Sequence, residues 1–117
     1  MKKDNIIVDK SKLFALRIIK LYKFLCEEKK EYIISKQLLR SGTSIGANVK
    51  EAIRGFSKPD FYFKLNIALK EASESEYWLE LLYESEYITN SQFESIYSDC
   101  QELLKLLTAI TKNQSEE

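Results

Sequence analysis

Between Phe61 and Leu82, the residues Phe61, Leu65, Ala68, Ala72, Ser75, Leu79 and Leu82 recur at alternating intervals of four and three. That alternation averages about 3.5 residues, the repeat that keeps one face of an α-helix against a neighbouring helix in a left-handed bundle. A second run, Phe93, Ile96, Cys100, Leu103, Leu107 and Ile110, repeats at intervals of three and four. Two such seams in 117 residues make the chain an all-α bundle in a single domain.

The rest of the chain supplies two further helices and their punctuation. The first nine residues read as a loose polar lead-in. Helix one is expected over about 11–28. Phe14, Ala15, Ile18, Ile19, Leu21, Tyr22, Leu25 and Cys26 fill an arc of about 160° on it, with Arg17, Lys20, Lys23 and Glu27 on the wet side. So wide an arc implies more than one neighbour. Helix two is expected over about 34–54, stopped by Gly55 as a C-terminal glycine. Ser57 can cap helix three, expected over about 58–85, with Pro59 and Asp60 in its first turn. Thr89 and Gln92 spell a capping box for helix four, over about 90–112. The tail from Asn113 to Glu117 is polar and expected to fray. Short connections make consecutive helices antiparallel neighbours, so residues 1–117 read as one up-down-up-down four-helix bundle.

The stretch Arg40-Ser-Gly-Thr-Ser-Ile-Gly-Ala-Asn-Val-Lys-Glu-Ala52 is rich in small residues and holds two of the chain's three glycines. A glycine inside a helix costs about 1 kcal/mol against alanine, so two of them need a compensating close approach of another backbone. Gly42 and Gly46 are therefore packing positions, and their spacing does not form a phosphate-cradling loop. Ser44 and Asn48, beside Ser41 and Glu51, could hydrogen-bond across such a contact and fix register.

Histidine is absent, which removes the commonest general base and metal ligand. Cys26 and Cys100 sit within apolar patterns and read as small buried hydrophobes. No secretory leader opens the chain, and no apolar run approaches the ~20 residues of a membrane span. A soluble cytoplasmic protein is the expectation. Net charge is zero, but residues 1–58 hold 14 Lys and Arg against 6 Asp and Glu, whereas residues 59–117 hold 4 against 12. Halves of opposite sign suggest that the first two helices pack against the last two, or against another copy's.

The run Arg40 to Ala52, followed by Ser57-Lys-Pro-Asp-Phe61 and by Lys64 to Leu82, resembles the four-helix-bundle family of proteins encoded in the intervening sequences of bacterial 23S rRNA genes (S23 type). The accessory protein of diversity-generating retroelements is similar to that family. The resemblance spans about 11–112, with the specific motifs in helices two and three. It implies a bundle that assembles as a ring-like homopentamer in the cytoplasm. For the retroelement member it implies binding of RNA and a reverse transcriptase through a basic surface. It carries over no catalytic residue, so a non-enzymatic protein is expected, without cofactor or small-molecule substrate.

Three groups of residues stand out as candidate sites. Lys36, Arg40, Lys50 and Arg54 share a stripe about 80° wide on helix two, with only Thr43 and Ala47 between them. Such a row suits a phosphate backbone, though a solvated face or a salt-bridged contact with an acidic surface would look the same. Glu71, Glu74, Glu76, Glu80, Glu84 and Glu86 read as a solvated or intersubunit face, not as metal ligands. Phe63, Ile67, Trp78 and Leu81 lie on helix three away from its seam, as subunit contacts or as an enlarged core. The functional expectation is a homo-oligomeric scaffold that binds structured RNA or an RNA-handling protein; the alternative is a purely structural or protein-interaction oligomer.

Overall fold

Four α-helices account for nearly the whole chain: α1 (Lys2–Glu28), α2 (Ile34–Ile53), α3 (Lys58–Glu84) and α4 (Asn90–Lys112), followed by a 3₁₀ turn (Asn113–Glu116). This computed structural model describes the backbone of residues 2–116 and the side chains of residues 6–114. Met1 and Glu117, the outermost residues of the expected lead-in and tail, lie outside the described residues. No strand occurs among those described.

The lead-in is the main correction to the expected boundaries. α1 begins at Lys2, because Ile7 is 1% exposed and extends the buried row Phe14, Ile18 and Leu25 by two turns. Flanking charges make the segment look polar in one dimension. The tail is also ordered further than expected, since the Asn66 amide donates to Gln114 Oε1 at 3.2 Å.

The helices close a ring of neighbours: α1 packs on α2, α2 on α3, α3 on α4, and α4 back on α1. Ile18, Leu25, Leu38, Ile45, Leu65, Leu79, Leu82, Leu103 and Leu107 fill the interior. Contact partners run in opposite order along each adjacent pair. Ser41 meets Ser75 while Glu51 meets Lys64, and Lys10 meets Glu102 while Arg17 meets Asp99. Two of these pairs, together with the bridges from Arg40 to Glu71 and Glu74, join a cation of the first half to an acid of the second. The charge dipole is thus partly spent inside the chain. Among the described residues, no helix is long and apolar enough to cross a membrane.

Helix termini follow local chemistry. Ser57 accepts from the Asp60 amide, and Thr89 with Gln92 forms the reciprocal box. Gly55 does not act as a left-handed stop. No glycine has positive φ, Arg54 is the C-cap, and the Gly55 N–H bonds to the Ala52 carbonyl at 3.0 Å. The start of α2 is capped from outside the helix, in a way its own first residues do not announce. Ile33 offers no side-chain cap, so the buried Glu31 carboxylate accepts the backbone N–H groups of Ile33, Ile34 and Ser35 at 3.1, 2.9 and 2.6 Å. Three orphan donors are satisfied by one anion at the positive end of a helix.

Burial alone would raise the Glu31 pKa, but the donors of Ile34, Ser35 and Ile33 outweigh it and hold the carboxyl below its usual value. A lowered folded pKa means stability that is fully present above the ordinary glutamate range. It is lost as pH falls through the folded value. Glu31→Gln should therefore cost about 2 kcal/mol at neutral pH and flatten the acid limb of the stability curve. Urea unfolding of both proteins across the acid range checks this; parallel pH curves would contradict it.

Candidate nucleic-acid interface

α2 carries the predicted cationic stripe, and the structure divides it. Arg40 is not free: its guanidinium bonds Glu71 at 3.2 Å and also Glu74, both on α3. The bond to Glu71 makes the Arg40 guanidinium hold its proton more firmly than an ordinary arginine does. Arg40 is therefore an interhelical tie. Lys36 is exposed near the start of α2, about 27 Å along the axis from Arg54. Lys50 and Arg54 remain together at the C-terminal end of α2, exposed and without an ion-pair partner among the described residues.

These two cations stand on a ridge between two grooves. On one side, α1 supplies Val8, Lys12 and Ala15 against Thr43, Gly46 and Ala47 of α2. On the other, Phe56, Phe63 and Lys64 of the α2–α3 corner face Ala47 and Lys50. Lys12 also has no partner among the described residues. Lys64 meets Glu51 at 2.8 Å, but both side chains are substantially exposed, so that pair contributes little. The result is a basic corner with a floor of small side chains. Lys12, Phe56 and Lys64 were missed because they come from three other segments, and only the isolated phenylalanine between Gly55 and Ser57 gave a local hint.

The small-residue stretch explains why α1 and α2 approach so closely here. A Cβ on Gly42 would lie 2.8 Å from Ile18 Cγ1, so no side chain fits. A Cβ on Gly46 would stand 3.4 Å from the Ser11 carbonyl, at the edge of ordinary contact. Ser44 and Asn48 do not reach across helices as expected. Ser44 Oγ donates to the Arg40 carbonyl at 2.6 Å and the Asn48 amide to the Ser44 carbonyl at 2.8 Å, both within α2. A buried hydroxyl pair, Ser41 Oγ with Ser75 Oγ at 2.8 Å, crosses between α2 and α3 instead. Ser75 had a legible signal, being the one hydroxyl on an otherwise apolar seam.

The acidic residues of α3 also work within the chain. Glu80 accepts the Tyr97 hydroxyl at 2.6 Å, Glu76 accepts the Gln101 amide, and the Glu80 bond with burial raises the Tyr97 pKa. Cys100 is buried, its thiol donating to the Ala72 carbonyl at 3.4 Å, with burial and the Glu76, Glu80 and Asp99 charges raising its pKa to about 12. That thiol is no nucleophile at neutral pH. Among the described residues, no group of three or more acidic or cysteine side chains is placed to hold a metal.

Two apolar faces point away from the core on opposite corners of the bundle. On α3, Ile67 and Leu81 are half-buried and stand off the core, while Trp78 packs on the core's edge and donates its indole N–H to Glu74 at 3.3 Å. Phe63, 63% exposed, lies at the N-terminal end of that stripe and lines the corner groove. On α1, Leu13 and Leu16 are 61% and 54% exposed.

Comparison with known proteins agrees with this architecture. Residues 3–109 match the family model described as 23S rRNA-intervening sequence protein. A crystal structure of a protein of unknown function from the S23 ribosomal protein family of Bacteroides thetaiotaomicron is 62% identical, with a TM-score of 0.92 over 94% of this chain and 98% of that one. No curated protein matches. A family match over residues 3–109, with a 62% identical relative covering nearly the whole chain, makes this protein a member of the 23S rRNA-intervening sequence protein family.

Proposed function

We propose that this chain is a non-enzymatic scaffold that assembles into a homo-oligomeric ring and binds structured RNA through its basic corner. The observation that carries the RNA reading is the cluster of Lys12, Lys50 and Arg54 at one end of the α1–α2 groove, without carboxylate partners among the described residues. Small floor residues leave a polyanion room to approach those charges, and releasing its counterions would drive binding. The protein works in the cytoplasm on this reading.

Opposed contact order along every adjacent pair supports an up-down-up-down bundle. The outer faces of α1 and α3 differ in composition and lie diagonally apart, which favours a head-to-tail contact between copies. Such contacts close into rings or run into open filaments; the family resemblance supports a ring of five.

Binding to 23S-type structured RNA across a salt series tests the RNA reading. Wild type should lose affinity linearly with log salt, and Lys50→Glu with Arg54→Glu should weaken binding at least tenfold and lower the salt slope by about two. Lys36→Glu should change little. No binding by wild type at low salt would remove RNA as the ligand and leave a protein-interaction oligomer.

A further inference from the structure

We infer that the α2–α3 corner is a stacking platform for unpaired RNA bases, an inference that rests on the RNA-binding reading above and adds the form of RNA preferred. Phe56 is 100% exposed and Phe63 63% exposed, and the two rings line one groove with the cations Lys50, Arg54 and Lys64 and the carboxylates Glu51 and Asp60 around it, Glu51 being paired with Lys64. A wholly exposed phenylalanine contributes nothing to the core that the rest of the chain builds. Its position is nevertheless held: the Gly55 N–H bonds the Ala52 carbonyl at 3.0 Å, and Ser57 caps α3. A Cβ on Gly55 would meet the Ala52 carbonyl at 3.1 Å and Asp60 Cβ at 3.3 Å, so the backbone just before Phe56 is closely packed. The backbone thus presents the Phe56 side chain outward from a pinned turn.

Charge selects the occupant. Exposed rings beside cationic heads match a single strand, whose bases offer flat faces and whose phosphates follow at short intervals. A paired helix hides its bases and would engage only the cations. The exposed Lys64–Glu51 pair leaves Lys64 able to turn to a phosphate at small cost. A second copy of the chain fits less well, because the main acidic row of its α3, Glu71, Glu74, Glu76 and Glu80, is already committed to Arg40, Tyr97 and Gln101.

The test compares a short unpaired oligoribonucleotide with a blunt RNA duplex of equal length, using the intact oligomer and sizing each variant beside wild type. Wild type should bind the unpaired strand more tightly. Phe56→Ala should cost roughly tenfold on the unpaired strand, leave the duplex and the salt slope unchanged, and be restored by Phe56→Tyr. Lys50→Glu with Arg54→Glu should weaken both ligands. Equal affinity for the two RNAs, or a Phe56→Ala loss shared by both, overturns the platform while leaving RNA binding intact. Dissociation of the oligomer by Phe56→Ala assigns the corner to a subunit contact and overturns it as well. Failure of wild type to bind either RNA removes both readings together.

Discussion

Replacing Gly42 with leucine should destabilise the protein by about 3 kcal/mol or more, a large part of the stability of a domain this size. The position has no space even for a methyl group, because its ideal Cβ falls 2.8 and 2.9 Å from the two γ-carbons of Ile18. Ile18 cannot yield: it is β-branched, 1% exposed and packed in the centre of the core. Either the α1–α2 spacing opens or the isoleucine leaves its rotamer. Gly42→Ala should cost less, since the gain in helix propensity of about 1 kcal/mol offsets part of the clash. Gly46 gives the contrast. Its Cβ would sit 3.4 Å from Ser11 in ordinary contact, so Gly46→Ala should be neutral or stabilising by up to about 1 kcal/mol. Urea unfolding midpoints rank the three variants, and a Gly46→Ala protein weaker than Gly42→Leu would contradict the packing account.

The second large effect concerns assembly. Ile67→Glu with Leu81→Glu spoils the outer face of α3, and Leu13→Glu with Leu16→Glu spoils that of α1. Neither pair should unfold the chain, because none of the four side chains is buried in the monomer. Each double variant should be monomeric, since a carboxylate forced into an apolar contact costs several kcal/mol, enough to lower association a hundredfold or more. Mixing the two should yield a heterodimer and no larger species. One variant keeps a sound α1 face and the other a sound α3 face, so a single head-to-tail contact can form and no ring can close. Sedimentation velocity of the separate and mixed proteins reads this directly. If the α1 variant alone stays oligomeric, the contact joins like faces and the head-to-tail arrangement is wrong. Trp78→Glu is the poorer probe, because Trp78 is shared between the outer face and the edge of the core.

Helix number, type and most boundaries were legible in one dimension because they depend on residues close in sequence. The alternating seam of α3, the Ser57 cap and the Thr89–Gln92 box each involve positions three or four apart, and the structure places them as read. The glycines of α2 announced a close approach for the same reason, since the cost of a glycine in a helix is local. The start of α1 was misread because Ile7 earns its place only by meeting the distant core. Arg40 looked free because Glu71 and Glu74, which neutralise it, lie thirty-odd residues away. Likewise, Ser44 and Asn48 found carbonyls one turn back, while Ser41 and Ser75 met across the interface. The basic corner gathers Lys12, Lys50, Arg54 and Phe56 from two helices and a turn. The sequence by itself determined the helices, the N-caps of α3 and α4 and the tight α1–α2 contact, all set by short-range periodicity and backbone sterics. Which charges are cancelled and which remain for a partner was decided only by tertiary structure, because that depends on distances between residues far apart in the chain.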